Sequence, residues 1–200
     1  IHHHCSVSTN TFRCAHRKPN LAACPASEEF RELFTASPGM VMVGADLSGI
    51  ELRMLAHYLG RYDGGRYADI LLNDDIHQVN ADKIGITRRQ VKTVTYAFLY
   101  GAGNEKIGTS YDNSLQPKEA KKKGSEIRKA FVSAIEGLGE LLGAVSNKAA
   151  AGYLMALDGR RVLVDSPHKG LNYLLQCSAG IVAKRWMVIA NDLFKKNNVH

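Results

Sequence analysis

Six consecutive positions, Met40 to Ala45, carry no charge, and the run ends on an acid, Asp46. A short apolar run bounded by turn residues predicts a buried strand. Ser37-Pro38-Gly39 marks the turn before it and Ser48-Gly49 the turn after. From Ile50 the period changes. Leu52, Leu55, Ala56 and Leu59 recur at three and four residues, which predicts a helix with one apolar side.

Start and stop signals divide the rest of the chain. Residues 1–27 show no period, contain Pro19 and Pro25, and read as extended loop. Glu28 to Phe34 predicts a short helix. Asp63-Gly64-Gly65 marks a loop over Arg61 to Arg66, and Tyr67 to Leu72 predicts one or two helical turns. Asp75-x-x-Gln78 has capping-box spacing and opens a helix to about Ile84. Thr87-x-x-Gln90 repeats the signal and opens another to about Leu99, which Gly101 and Gly103 stop. Residues 104–112 give no clear period. Pro117 to Ser146 predicts one or two helices, broken near Gly137 or Gly139. Asp158-Gly159, between Tyr153–Leu157 and Arg161–Val164, predicts a β-hairpin. Ser166-Pro167 then opens a long helix from about His168 to Lys196. The pattern predicts an α+β fold with no internal repeat.

Composition narrows the picture modestly. With 45% hydrophobic and 22% charged residues, 200 positions can enclose a real core. The net charge of +7 favours polyanionic partners. No apolar run approaches the ~20 residues of a membrane span. No signal segment is present, so a cytoplasmic protein is expected. The chain opens on Ile1 rather than Met, which predicts a longer parent. Cys5, Cys14 and Cys24 lie near His2, His3, His4 and His16, but their intervals do not match paired zinc ligands. Free reduced thiols are the simpler reading, for Cys177 as well.

Two stretches carry candidate chemistry. Asp46 at the end of an apolar strand has two readings. It caps the next helix together with Ser48, or it is a desolvated carboxylate that meets a cation or metal. The second stretch is Arg88, Lys92, Tyr96 and Tyr100, spaced by four and so on one slanting stripe about 18 Å long. Two cations near a helix N-terminus suit a triphosphate, and two rings farther along suit a base or sugar. The competing reading makes the tyrosines core and the cations solvated. His77 precedes this helix and is placed for packing or for a phosphate. Arg13, His16, Arg17 and Lys18 form a basic loop able to meet a phosphate backbone. The lysine run 121–123 reads as a solvated face.

Together these residues resemble the polymerase portion of family A DNA polymerases, most closely the phage replicative branch. Asp46-Leu47-Ser48-x-Ile50-Glu51-Leu52-Arg53 resembles the first catalytic motif, D-x-S-x-I-E-L-R. Arg88-x-x-x-Lys92-x-x-x-Tyr96-x-x-x-Tyr100-Gly101 resembles the motif of the mobile fingers helix. Thr11-x-Arg13 through Pro19-Asn20-Leu21 and Pro25 resembles the segment that meets primer and template. Asp75-Ile76-His77 and Leu171-Asn172 through Gln176 also fall in family order.

The resemblance implies part of a palm, with a short antiparallel sheet, and a helical fingers subdomain. Residues 1–60 would be palm, 61–150 fingers, and 151–200 a palm hairpin and long helix. It implies transfer of dNTPs to a primer 3′-hydroxyl on two Mg2+ ions, held by Asp46 with help from the Leu47 carbonyl. Arg88, Lys92 and His77 would hold the triphosphate, with Lys92 protonating the leaving group. Tyr96 would stack on the nucleotide. Glu51 and Tyr100 would crowd the sugar 2′ position, while Arg13, Asn172 and Gln176 would touch the primer–template minor groove. Arg53 would support Glu51 or the local backbone.

Implied partners are primer–template DNA and dNTPs, with no membrane; a processivity factor is compatible. Three departures stand out. Phe12 replaces the family's Gly, Ala23-Cys24 replaces a polar-Ile pair, and no His-Asp-Glu motif occurs among the 200 residues. The last supplies the family's second metal-binding carboxylate, so the 200 residues alone are expected to lack synthesis. Alternatives are a nucleotide or primer–template binding remnant and a single-subunit RNA polymerase; Glu51 argues against the latter.

Overall fold

The computed structural model describes residues 2–199. Two three-residue strands, β1 (His4–Ser6) and β2 (Ala15–Arg17), open the chain as an antiparallel hairpin with Cys5 opposite His16. A short α1 (Glu28–Arg31) follows. Seven helices then run in succession: α2 (Ile50–Asp63), α3 (Arg66–Asn73), α4 (Ile76–Ile84), α5 (Arg88–Leu99), α6 (Asn104–Tyr111), α7 (Pro117–Ala134) and α8 (Leu138–Ala149). A second hairpin, β3 (Tyr153–Met155) with β4 (Arg161–Leu163), leads into α9 (Gly170–Lys196). This is the α+β architecture expected. No described helix is long and apolar enough to cross a membrane.

One core joins most of these elements. Leu55 and Leu59 on α2 are wholly buried, as the apolar spacing of that helix requires. They belong to the same cluster as Val94 and Leu99 of α5, Phe131 of α7, Leu138 of α8, Val162 of β4 and Leu175 of α9. Residues from both ends of the sequence therefore meet around α2.

Local signals fix the helix ends. The Thr87 box is complete: the Thr87 hydroxyl accepts from the Gln90 amide at 3.3 Å, and the Gln90 side chain accepts from the Thr87 amide at 3.1 Å. At α4 only half the box forms. Asp75 accepts from the His77 and Gln78 amides, but the Gln78 side chain turns to Asp82 at 2.7 Å. The loop expected over residues 61–66 shrinks to Gly64-Gly65. Buried Asp63 closes it by accepting from the Gly65 amide at 2.8 Å and the Tyr67 amide at 2.7 Å.

Three expectations need correction. Residues 1–27 are not all loop, since β1 and β2 pair within them. The Asp158-Gly159 turn is longer than the two-residue kind. Ala156 and Arg160 close it, and Gly159 takes φ +82 within the loop. The run Met40 to Ala45 is neither strand nor buried: Val41 is 85% and Val43 79% exposed. A strand needs a neighbour for its amides and carbonyls, and neither described sheet pairs with this run. Its apolar composition suits a buried strand, but no described residues cover it.

The closest helix packing is between α6 and α7, which run antiparallel. A methyl on Gly108 would overlap the backbone of Ala120, and one on Gly124 the backbone of Asn104. These two glycines let the helix backbones touch. Gly124→Ala is expected to destabilise the chain by about 3 kcal/mol, read from urea unfolding. An unchanged midpoint would show that the two helices separate at little cost.

Candidate nucleotide and primer–template site

The buried side of α5 is Val91, Val94, Thr95, Phe98 and Leu99. That leaves Arg88, Lys92, Tyr96 and Tyr100 along its outer edge, so the reading of both tyrosines as core does not hold. Tyr100 is 48% exposed and Tyr96 half-buried. The Tyr96 ring lies 6.1 Å from that of His77, which α4 carries alongside. Lys92 is exposed between the two ends of the stripe. Arg88 is held by Asp75, Nε to Oδ2 2.6 Å.

Glu51, in the first turn of α2, is the convergence point. It is buried, with its carboxylate at the edge of the core. The Tyr100 hydroxyl donates to Oε1 at 3.2 Å, and Arg13 Nη1 stands 3.6 Å from the same oxygen. A charge this far out of water needs such partners. Arg13 reaches it from the loop between β1 and β2. The adjoining Thr11 hydroxyl donates to Gln176 of α9 at 3.5 Å, so Arg13, Glu51, Tyr100 and Gln176 are drawn into one region.

Asn172 joins the same region from inside. Its amide donates to the Leu99 carbonyl at 2.8 Å, closing the C-terminal end of α5. Gly101 continues from there at φ +75 with its backbone against the Asn172 side chain. Asn172 is buried, so its side chain has a structural task beyond the DNA contact that the resemblance implies. Phe12, at the family's glycine position, adopts φ +56, a conformation that a bulky residue enters at a cost. Its ring packs toward the core, with the Arg160 guanidinium 4.9 Å away, and Lys184 donates to its carbonyl.

Charge around His77 has a definite sign. Burial, reinforced by the Arg88 charge, lowers the His77 pKa below its ordinary 6.5. The Arg88 hydrogen bond lowers the Asp75 pKa, helped by the two amides that Asp75 caps. Burial is also the main cause that raises the Tyr96 hydroxyl, followed by the nearby Glu51 charge. His77 is therefore a neutral imidazole near pH 7 beside two cations.

Asp46 sits apart from this convergence. It is exposed, and it makes no capping bond, because Gly49 at φ +57 begins α2 without a side-chain cap. Arg53 Nε donates to the Ser48 carbonyl at 2.8 Å and braces the turn, one of the two supports expected of it. Mg2+ takes near-octahedral oxygen ligands. The Asp46 carboxylate and the Leu47 carbonyl are oxygen donors of the right kind. Among the described residues, however, no three His, Cys, Asp or Glu side chains gather to hold a metal. The donor set present is too small for two ions.

Two participants were not visible in the sequence. Asp75 was readable as a cap but not as the partner of Arg88, thirteen residues on. Arg128 of α7 donates to Asn104 at 2.7 Å and to the Ala102 carbonyl, with the Phe98 ring beneath it. It pins the turn that follows Tyr100, and nothing in its local pattern distinguishes it from a solvated cation.

The family model for DNA polymerase family A matches residues 1–200. The chain belongs to DNA polymerase family A. The DNA-directed DNA polymerase of Escherichia phage T7 is 37% identical over 95% of this chain and 31% of its own length. That of Escherichia phage Phieco32 is 34% identical over 80% of this chain and 30% of its own length. The chain thus spans about a third of these phage relatives. A solved structure, the POL domain of Pol1 from M. smegmatis in complex with DNA primer-template and dNTP, shares the fold. Its TM-score is 0.76 at 24% identity, over 99% of this chain and 38% of that one.

Because the folded pKa of His77 lies below the unfolded value, acid favours the unfolded chain. His77 imposes no penalty above pH 6.5 and destabilises progressively as pH falls from there through its folded pKa. Urea midpoints between pH 7.5 and 5 are expected to fall less in His77→Gln than in wild type. Parallel curves would mean that His77 titrates as an exposed imidazole.

Proposed function

We propose that this chain is the nucleotide- and primer-terminus-binding portion of a template-directed DNA polymerase. The observation that carries the reading is the Tyr100–Glu51 hydrogen bond at the end of an outward stripe of two cations and two rings. The stripe gives a nucleotide triphosphate one orientation. Phosphates lie at Arg88, Lys92 and neutral His77, the base lies beside Tyr96, and the sugar lies at Tyr100. Lys92 is the proton donor placed nearest the leaving phosphates. The Tyr100–Glu51 pair fixes two side chains where a ribose 2′-hydroxyl would need room, which favours deoxynucleotides. Arg13 and Gln176, flanking Glu51, face the primer terminus and its minor groove, where contacts tolerate any base pair.

We assign residues 61–150 to the fingers and residues 1–60 and 151–200 to the palm. In the longer polymerase Asp46, with the Leu47 carbonyl, supplies part of a Mg2+ site. Among the described residues no group of three acidic, His or Cys side chains completes it. For the 200-residue chain alone the proposal is therefore binding without synthesis, on the ground that Asp46 belongs to no group of three candidate metal ligands among the described residues.

Lys92→Ala is expected to weaken dNTP binding by about tenfold, the value of one charge-assisted phosphate contact. Equilibrium dialysis with the 200-residue chain measures it, and unchanged binding would remove the stripe from the site. In the longer gene product, Asp46→Ala is expected to abolish primer extension. Glu51→Ala is expected to raise ribonucleotide use relative to deoxynucleotide use. A wild-type product that extends no primer with dNTPs, or prefers rNTPs, would overturn the DNA-polymerase reading.

A further inference from the structure

Five buried side-chain polar atoms have no hydrogen-bond partner among the described residues, and four of them lie on three consecutive helices. They are Tyr67 Oη on α3, His77 Nδ1 and Asn80 Nδ2 on α4, and Thr95 Oγ1 on α5. Enclosed polar atoms cost free energy until they are paired, so four in neighbouring helices imply a shared arrangement. His77 and Asn80, three residues apart, share a face of α4. Burial pushes the Tyr67 hydroxyl well above its ordinary pKa of 10, against the pull of the Asn80 amide beside it, so the hydroxyl keeps its proton. Thr95 precedes Tyr96, whose ring stands 6.1 Å from that of His77.

Donor and acceptor capacity decides which ring nitrogen of His77 carries the proton. A neutral imidazole donates from one nitrogen and accepts at the other. Asn80 Nδ2 can only donate, whereas the Tyr67 and Thr95 hydroxyls each donate once and also accept. With each atom counted once per role, an accepting Nδ1 gives three donors and three acceptors among the four atoms. A protonated Nδ1 would leave four donors competing for two oxygens. We propose that Tyr67 and Asn80 are positioning residues for His77: Asn80 donates to the Tyr67 hydroxyl, which donates to Nδ1, directly or through one bridging water. Nδ1 is held as an acceptor, and Nε2, which is not among the enclosed atoms, keeps the single ring proton. The charged groups that act on this ring are Arg88, Asp75 and Lys92. An imidazolium there would add a third cation, while a neutral Nε2–H offers a phosphate oxygen a directed bond without that repulsion. The inference rests on the proposed nucleotide site for what Nε2 meets, and on the buried atoms alone for the tautomer.

Nitrogen-15 NMR of the His77 ring, in the nucleotide-free 200-residue chain at about pH 8, reads the tautomer. Wild type is expected to show Nδ1 without a proton and Nε2 with one. Tyr67→Phe keeps the ring and removes the hydroxyl, and Asn80→Ala removes the amide. Each is expected to move the Nδ1 signal toward the protonated position as the two tautomers mix. Tyr67→Phe should also weaken dNTP binding about fivefold, the share of one net hydrogen bond. Ser178→Ala, which deletes the 2.8 Å bond to Tyr58, should lower the urea midpoint without moving the His77 nitrogens. A wild-type ring protonated at Nδ1, or His77 signals unchanged in both variants, overturns the proposal. So does dNTP binding that falls in His77→Gln but not in Tyr67→Phe. An Nε2–H tautomer disturbed by both variants, with dNTP binding unmoved in His77→Gln, supports the positioning and counts against the nucleotide site instead.

Discussion

A carboxylate at the edge of the core governs how this chain is arranged. Glu51 leaves the first turn of α2 between two partners that the sequence holds far apart, Arg13 before it and Tyr100 after it. Because desolvated charge is costly when unpaired, these contacts tie the N-terminal loop and the end of α5 to α2. The Asn172 bond to the Leu99 carbonyl then fastens α9 to the same place. Four parts of the chain meet around one acid, and the outward stripe of α5 takes its direction from that junction.

What was legible in the sequence was what is decided locally. Thr87 and Gln90 satisfy amides within their own turn, so the start of α5 could be read directly, as could the apolar face of α2, while of the two glycines expected to break the next helices it is Gly137 that does so. The stripe from Arg88 to Tyr100 was equally visible, since helical spacing alone sets it. Illegible features depend on distant partners. The run Met40 to Ala45 has strand composition, but a strand is defined by its neighbour, and here it has none. Asp63 looked like a turn residue and proves to be a buried cap. Asn172 was readable only as a side chain available to a ligand, yet its amide closes a helix 73 residues earlier.

Around the junction, rigidity is unevenly distributed. The α6–α7 pair has backbones in contact through Gly108 and Gly124, and Arg128 extends that stiffness to the turn after Tyr100. By contrast the segment carrying Asp46 lies exposed, braced mainly by Arg53 at its final turn. The side chains proposed to orient a nucleotide are therefore built on packed helices, while the candidate metal carboxylate stands on backbone without lateral support. Precise positioning at a site requires such support, so these residues are better organised for recognition than for chemistry.

The ion pair between Arg88 and Asp75 sets a threshold on what this surface accepts. An anion that recruits Arg88 must first outcompete a carboxylate already 2.6 Å away. A single negative charge gains little by that exchange, whereas a chain of phosphates brings several and can engage Lys92 at the same time. If the proposed stripe holds the phosphates, discrimination between a nucleoside monophosphate and a triphosphate follows from this competition. Asp75 also caps α4, so an anion that drew Arg88 away would, in the proposed site, leave the cap of the helix that carries His77 without its cation.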